Sequence, residues 1–263
     1  MNMNINKDHL ITWVGGKRNL RKVICKLIPT DIKSYIEPFG GGGWVLFAKE
    51  KHAKLEVYND LDERLANLFR IVKYHPQALI DELKFTFNSR GQFREFLNSV
   101  PKTDIQEAAK FIYLLHHSFG GKGTTYGTCL NGESSAKSCY NLLERVDSIS
   151  KRLDKVYIEN LSFEELIPKY DNSSAFFYCD PPYTYGAGYK TTSTRKFAHE
   201  ELRDILGSIK GRFLLSYDDS EKVRQLYKDY DIIPVSRPNG INGKNPVKKE
   251  FKEVLIRNYD DTS

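Results

Sequence analysis

The stretch FFYCDPPYTYG, residues 176–186, runs from apolar residues directly into an acid, two prolines and an aromatic ring. Proline lacks a backbone N–H, so two prolines in succession cannot continue a strand ladder and the strand must end sharply. We therefore expect Asp180 at the carboxyl end of a central strand, where ligands bind in open α/β sheets. The alternative is a proline-rich turn that carries a surface aspartate.

Further apolar runs predict strands that alternate with helical segments. They are SYIEPF (34–39), KLEVYND (54–60), KVYIEN (155–160), RFLLSYD (212–218), YDIIPVSR (230–237) and EFKEVLIRNY (250–259). This alternation indicates an α/β fold with a mostly parallel sheet covered on both faces. One connecting segment, HEELRDILGSIK (199–210), is amphipathic and predicts a helix. The last two runs are joined by about a dozen residues without a helical pattern, which predicts an antiparallel hairpin at the sheet edge.

Residues 61–150 interrupt the alternation. Three helical segments come first: DERLANLFRIVKYHPQALIDELK (62–84), GQFREFLNSV (91–100) and IQEAAKFIYLLHHSF (105–119). The polar, glycine-rich segment that follows, residues 119–141, predicts a loop or a loose hairpin. We expect residues 1–60 and 151–263 to form one α/β domain, and residues 61–150 to form a mostly helical insertion.

Four glycines in IEPFGGGGWVLF (36–47) lie between a predicted strand and a helical pattern. Glycine lets the backbone approach a ligand closely, and a helix N-terminus favours polar ligand groups. Asp60 ends the next predicted strand, about 20 residues later, where nucleotide-binding α/β folds hold ribose hydroxyls. The pair indicates an adenosine-containing cofactor and leaves open whether it is NAD or S-adenosylmethionine. A tight turn that binds no ligand is the alternative.

The acid, prolines and tyrosine of residues 180–183 suit methyl transfer to an exocyclic amine. Such an amine is a poor nucleophile because its lone pair is delocalised into the ring. A carboxylate and a backbone carbonyl that each accept one N–H would favour the sp³ amine and stabilise the developing positive charge. The ring of Tyr183 offers a face on which a flipped base can stack.

Composition narrows the class of protein. The chain is 40% apolar and 28% charged, an ordinary composition for soluble domains. No stretch reaches the ~20 apolar residues of a membrane span, and the N-terminus lacks a signal-peptide core, so we expect a cytoplasmic protein. The cysteines and histidines form no zinc pattern, and no metal is expected. The net charge of +6 is compatible with a polyanionic partner but does not establish one.

The motifs, in their order along nearly the whole chain, resemble the D12 class (Dam-like) of DNA adenine-N6 methyltransferases, including phage-encoded members. The matching stretches are TWVGGK (12–17), EPFGGGGWVLF (37–47), YND (58–60), YCDPPY (178–183), LSYDD (215–219) and KKEFKEVLIRNY (248–259). The resemblance implies a Rossmann-like class I methyltransferase fold, with a seven-stranded, mostly parallel sheet and an antiparallel edge hairpin. In such a protein the 61–150 insertion recognises the DNA target.

The resemblance also implies an activity. A site-specific enzyme of this family transfers a methyl group from S-adenosyl-L-methionine to N6 of adenine in duplex DNA, after flipping the base. Trp13 and Lys17 would contact the cofactor, and Lys17 would pair with its carboxylate. The other implied cofactor residues are Glu37, Phe39, Gly40 and Gly41 for the amino-acid end, Asp60 for the ribose, Phe163 for the adenine, and Asp180. The target base would be held by Asp180, Pro181, Pro182 and Tyr183.

Two positions depart from the family pattern. Ser162 occupies a place where the family often has an aspartate, although its hydroxyl could partly replace the carboxylate. The strand motif around Ser216 continues with tyrosine and aspartate instead of asparagine, and the sequence assigns it no firm role. Residues 119–141 do not closely match any member's recognition hairpin, so no target sequence is transferred.

Basic loops are the candidate contacts to DNA phosphates. They lie after the 180–183 motif and between the last two predicted strands, and each loop is equally typical of a solvated surface. One further candidate, Lys122, lies in the 61–150 insertion, where it would face DNA. The candidate DNA-binding residues are Lys122, Tyr185, Lys190, Arg195, Lys196, Lys244 and Lys248. The expected partner is double-stranded DNA, with a cognate restriction endonuclease as a second candidate. We expect a monomer that associates with the nucleoid through DNA.

Rival functions remain open from sequence alone. Methylation of cytosine N4, or of adenine in RNA, would use similar chemistry, although the aspartate at position 180 and the motif order favour adenine in DNA. A DNA-binding protein that has lost catalysis would not require Trp13, Lys17 and Asp60 together with Asp180. A dehydrogenase is disfavoured because the GxGxxG pattern is missing.

Overall fold

The structure is a computed structural model that describes residues 9–13, 15–127, 137–183, 197–237 and 251–260. Within these ranges, seven strands form one mixed sheet in the order β3-β2-β1-β4-β5-β7-β6. The strands are β1 Ser34–Glu37, β2 Leu55–Asn59, β3 Val156–Glu159, β4 Ala175–Cys179, β5 Arg212–Asp218, β6 Asp231–Arg237 and β7 Phe251–Arg257. The predicted sheet and all seven predicted strands are confirmed.

Pairing within the sheet is parallel at its centre and antiparallel at one edge. Strand β1 pairs in parallel with β2 and with β4, and β4 pairs in parallel with β5. Strand β7 runs antiparallel to both β5 and β6. The predicted edge hairpin is therefore confirmed, with β6 outermost and β7 inserted beside β5.

The helices agree with the sequence where an amphipathic pattern is long. They are α1 Arg21–Leu27, α2 Glu63–Tyr74, α3 Pro76–Lys84, α4 Arg90–Asn98, α5 Asp104–His117, α6 Cys139–Leu153, α7 Phe163–Tyr170, α8 His199–Ser208 and α9 Glu221–Leu226. The segment predicted as one helix over 62–84 is two helices, because Pro76 has no N–H for the ladder and begins α3 instead. Helix α6 begins within the segment predicted as a loop, where the hydroxyl of Ser138 caps it by accepting from the N–H of Asn141.

The chain divides into two compact units. The first comprises Met1–Lys17, Gly41–Glu50 and Asp60–Asn160, and the second comprises Arg18–Gly40, Lys51–Asn59 and Leu161–Ser263. Helices α2 to α6 belong to the first unit, whose core includes the fully buried Leu68, Phe69 and Ile112. The core of the second unit includes Phe177, Leu215 and Val254 on three neighbouring strands. None of the helices in the described ranges has the length and apolar character needed to cross a bilayer.

Asn59 joins three segments of the second unit where β1 and β2 end. Its side chain is fully buried. Its amide donates to the carbonyl of Pro38 at 2.8 Å and to the carbonyl of Leu161 at 3.0 Å. Its Oδ1 accepts from the Leu161 N–H at 2.8 Å. One asparagine therefore satisfies three backbone groups that would otherwise be buried without partners.

Replacing Asn59 with alanine is expected to lower the free energy of unfolding by about 2–4 kcal/mol, because the buried backbone groups of Pro38 and Leu161 lose their partners. Urea denaturation measures the change. The control is Asn98→Ala at the exposed end of α4, which we expect to change stability by less than about 0.5 kcal/mol. Equal stabilities for Asn59→Ala and the wild type would contradict this role.

Candidate active site

The structure brings Asp60 and the glycine turn together in the first unit, as the sequence predicts. The Asp60 carboxylate accepts from the N–H of Gly41 at 2.8 Å and from the N–H of Asp62 at 2.9 Å. Burial of the carboxyl group raises the pKa of Asp60 to about 6, although these backbone N–H groups act in the opposite direction. A carboxylate with such a pKa changes its charge close to neutral pH.

The glycines of the turn are required by packing and by backbone conformation. Gly41 has a φ of +50°, and a Cβ there would lie 2.9 Å from Cδ1 of Trp13. A Cβ at Gly40 would lie 2.2 Å from Cε2 of Tyr58. The helix predicted after the turn is wrong: a single 3₁₀ turn, Leu46–Ala48, follows it. The turn therefore exposes no α-helix N-terminus to a ligand.

Trp13 and Lys17 lie on the segment that precedes α1. The ring of Trp13 meets Phe111 of α5 edge-on, with 6.0 Å between centroids. Lys17 is only 3% exposed, and its ammonium donates to the carbonyl of Gly15 at 2.9 Å. A cation held this deep favours an anionic neighbour such as a carboxylate. Trp13 is thus placed against the glycine turn, on the same unit as Asp60.

In the second unit, polar side chains gather where the central strands end. The buried Glu37 of β1 accepts from the hydroxyl of Tyr35 at 2.5 Å. Asp180 directly follows β4, and its Oδ1 accepts from the hydroxyl of Ser216 on β5 at 2.9 Å. No role for Ser216 follows from the sequence, because its contact with Asp180 depends on the register of β4 against β5.

Tyr183 is held by a carboxylate that the sequence did not single out. Its hydroxyl donates to Oε2 of Glu253 at 2.8 Å, and Glu253 is 1% exposed on β7. The ring of Tyr183 lies 5.9 Å from that of Tyr217, centroid to centroid. Burial, with the nearby charges of Asp180 and Glu253, raises the pKa of Tyr183 well above its usual value. Tyr183 therefore remains a neutral phenol with an anchored hydroxyl.

Three acidic side chains, Glu37, Asp180 and Glu253, lie near one another in this part of the second unit. Burial raises the pKa of Tyr178 well above its usual value, and the charges of Asp180, Glu37 and Glu253 add to that effect. The same two neighbours, Asp180 and Glu37, act with burial to raise the pKa of the Cys179 thiol. The negative charge of such a group of carboxylates favours a cationic ligand over an anionic one.

Phe163 begins α7 and belongs to an aromatic cluster. Its ring centroid lies 5.7 Å from that of Phe39 and 5.4 Å from that of Phe197. The preceding Ser162 caps the helix by accepting from the N–H of Glu165 at 3.3 Å. The departure from the family pattern at Ser162 thus has a local structural use, and Phe197 is an aromatic partner that sequence reasoning missed.

One of the seven predicted DNA-binding residues, Lys122, lies in the described part of the chain. Lys122 is exposed just after the 3₁₀ turn Phe119–Gly121. Tyr185, Lys190, Arg195, Lys196, Lys244 and Lys248 lie outside the described residues. Paired histidines at the end of α5 are packed: burial lowers the pKa of His116 to about 3 and that of His117 to about 4, so both are neutral at physiological pH.

Comparison with known proteins identifies relatives along almost the whole chain. A family model described as "D12 class N6 adenine-specific DNA methyltransferase" matches residues 13–240. A type II methyltransferase of Lactococcus lactis subsp. cremoris, M1.LlaDCHI, is 29% identical, over 97% of this chain and 96% of its own. A type II methyltransferase of Paramecium bursaria Chlorella virus NC1A, M.CviBI, is 27% identical, over 84% of this chain and 86% of its own. A DNA adenine methylase of Vibrio cholerae is 23% identical, over 93% of this chain and 94% of its own.

The hydrogen bond between Tyr183 and Glu253 predicts a measurable loss of stability. Tyr183→Phe should lower the free energy of unfolding by about 1.5–3 kcal/mol, because the buried carboxylate of Glu253 loses a hydrogen-bond donor. The control is Tyr157→Phe, whose side chain on β3 is exposed, and it should change stability by less than about 0.5 kcal/mol. In a Glu253→Leu background the effect of Tyr183→Phe should largely disappear. An equal loss in both backgrounds, measured by chemical denaturation, would show that the two side chains are not coupled.

Proposed function

Because the chain belongs to the D12 class of N6 adenine-specific DNA methyltransferases, we propose that it transfers the methyl group of S-adenosyl-L-methionine to N6 of adenine in duplex DNA. The chain is an adenine-specific DNA methyltransferase with a Rossmann-like fold. The use of S-adenosyl-L-methionine as donor and the flipping of the target base are proposed. The observation that carries it is the position of Asp180, directly after a central strand and held there by Ser216.

The side chains present suit the charges of S-adenosylmethionine. In the first unit, the Asp60 carboxylate would accept hydrogen bonds from the ribose hydroxyls, and the ring of Trp13 would pack against the cofactor. Lys17 would pair with the carboxylate of the cofactor, and Gly41, which has no side chain, would leave room for the cofactor. In the second unit, Glu37 and Asp180 supply negative charge for its ammonium and sulfonium. Phe39, Gly40 and Phe163 would line the rest. The carboxylates favour this cationic cofactor over the anionic pyrophosphate of a dinucleotide.

The bound cofactor supplies an electrophilic methyl group on a positively charged sulfur. The Asp180 carboxylate and the carbonyl of Pro181 each accept one N–H of the adenine amine, which localises the nitrogen lone pair for attack. Pro182 fixes the turn, and the ring of Tyr183 stacks on the base outside the duplex. As the new N–C bond formed, the methyl–sulfur bond of the donor would break and its sulfur would leave as a neutral thioether. The Asp180 carboxylate would stabilise the positive charge on the methylated nitrogen, which would then lose one N–H proton to this carboxylate or to water.

Recognition of DNA is assigned to the helical insertion, residues 61–150, and to the basic loops. Lys122, Tyr185, Lys190, Arg195, Lys196, Lys244 and Lys248 are proposed to contact the DNA backbone. The proposed partner is duplex DNA, and the proposed active form is a monomer that acts on nucleoid DNA in the cytoplasm. A cognate restriction endonuclease is proposed as a second partner, because relatives of the chain are type II methyltransferases.

Asp180→Ala is expected to reduce kcat about 10²–10⁴-fold, because the charge that stabilises the methylated amine is lost. Affinity for S-adenosylmethionine should fall by less than about tenfold, since the ribose and carboxylate contacts remain. Transfer of tritiated methyl groups to DNA measures the rate, and calorimetry measures binding. The control is Asp229→Ala at an exposed position before β6. Native turnover by Asp180→Ala would rule out the proposed mechanism.

Cofactor binding should depend on pH through Asp60. The pKa of about 6 means that only about one in eleven molecules carries the Asp60 carboxylate at pH 5. Hydrogen bonds from the ribose hydroxyls favour the charged form, so S-adenosylmethionine should bind about tenfold more weakly at pH 5 than at pH 7. The effect of Asp60 on protein stability has the opposite pH dependence to its effect on cofactor binding. Because folding raises the pKa of Asp60, the stability that this group contributes is present below pH ~4 and is lost as the pH rises through about 6.

Asp60→Asn tests the assignment. Asparagine keeps an acceptor for one hydroxyl but does not titrate, so calorimetric titrations between pH 5 and pH 7 should show weaker binding with a flatter pH dependence. A slope as steep as that of the wild type would assign the pH dependence to another group.

A further inference from the structure

Three side chains form a hydrogen-bonded chain that ends on the Asp180 carboxylate. The hydroxyl of Ser216 lies 2.9 Å from Oδ1 of Asp180, and the hydroxyl of Tyr178 lies 3.3 Å from the hydroxyl of Ser216. Ser216 is fully buried and Tyr178 is 3% exposed. Both are held by the sheet, Tyr178 on β4 and Ser216 on β5, and they are two residues apart in register, since Tyr178 pairs with Leu214.

The direction of the protons follows from the chemistry of the groups. A serine hydroxyl has one proton, and an ionised carboxylate can only accept. Ser216 therefore donates to Asp180 in preference to the carbonyl of Cys179, which is farther away at 3.5 Å. The Tyr178 hydroxyl can then donate to the oxygen of Ser216, and the high pKa of Tyr178 keeps that proton in place.

We propose that Ser216 and Tyr178 are positioning residues for the methyl transfer: Ser216 fixes the rotation of the Asp180 carboxylate, and Tyr178 fixes the hydroxyl of Ser216. This inference rests on the proposed function. A carboxylate at the end of a strand can turn about its last side-chain bond, and a hydrogen bond to one oxygen removes that freedom before the substrate arrives. The amine then meets an acceptor already oriented for it, which contributes to the rate of the chemical step more than to binding.

The same hydrogen bond favours the charged form of Asp180, so its loss should alter the pH dependence of turnover. Within the described residues, the titratable groups near these three side chains are Tyr178 and Cys179 on β4, Tyr183 after it, Glu37 on β1 and Glu253 on β7. The two tyrosines and the thiol stay protonated near neutral pH, because burial raises their pKa values. Glu37 and Glu253 are common to the wild type and the variants, so a difference between their pH profiles reports on Asp180.

The test compares Ser216→Ala, Ser216→Thr and Tyr178→Phe with the wild-type protein, using a DNA substrate and S-adenosylmethionine. Ser216→Ala should lower kcat about 10- to 100-fold with KM values for DNA and cofactor within about threefold of wild type. The acid limb of its kcat profile should move upward by about one pH unit. Ser216→Thr, which keeps the hydroxyl, should recover most of kcat, and Tyr178→Phe should show the same changes on a smaller scale. The matched control is Ser208→Ala, at the exposed end of α8, which should behave like the wild type.

Thermal unfolding and cofactor titration of each variant separate positioning from folding. An unaltered kcat and pH profile in Ser216→Ala would overturn the inference, and so would a uniform loss of kcat that tracks a loss of folded protein. Should Ser216→Ala fail to fold, wild-type behaviour of Tyr178→Phe would overturn it, and a shifted acid limb in Tyr178→Phe would support it. If the wild-type protein transfers no methyl group to DNA, both the proposed function and this inference are wrong. If the wild-type protein methylates DNA and Ser216→Ala has the same kcat and pH profile, only this inference is wrong.

Discussion

Parallel pairing of β1, β2, β4 and β5 places the carboxyl ends of these strands along one edge of the sheet, and every polar group buried there needs a partner. The side chains at this edge form hydrogen bonds with one another and with the backbone. Asn59 satisfies three backbone groups, while Glu37 and Asp180 each accept from a hydroxyl. Ligands bind at this same edge in open α/β sheets, so the side chains that stabilise the fold are also the ones that would orient the proposed chemistry.

Charge explains why this edge suits the proposed reaction. Burial raises the pKa of Tyr178, and the charges of Asp180, Glu37 and Glu253 add to that effect, so three acidic side chains lie near one another inside the second unit. The negative charge of these carboxylates disfavours binding of an anion. It favours a sulfonium, an ammonium and an amine that becomes cationic as it is methylated. The tyrosines meanwhile stay neutral, so they donate hydrogen bonds to the carboxylates without adding charge.

The sequence predicted features that depend on local pattern. All seven strands, the edge hairpin and the position of Asp180 followed from apolar runs and from the two prolines. Helix α6 could have been found from Leu142, Val146, Ile149 and Leu153, which are buried at helical spacing. Helix α7 was harder, since it is short and contains Pro168, a residue that usually ends a helix. Contacts between distant strands could not be predicted: Ser216 meets Asp180 across 36 positions and Glu253 meets Tyr183 across 70, and both depend on strand register.

The measurement that tests the central claim most directly is mass spectrometry of nucleosides from duplex DNA incubated with the protein and S-adenosylmethionine that carries a trideuterated methyl group. Methylation of adenine and methylation of cytosine give deoxynucleosides of different mass, and the deuterium label identifies the methyl donor. One experiment therefore identifies the donor and the acceptor together. The account predicts trideuterated N6-methyl-deoxyadenosine, formed in proportion to enzyme and time. A label found in N4-methyl-deoxycytidine, or DNA that carries no label in the presence of folded, cofactor-binding protein, would contradict it.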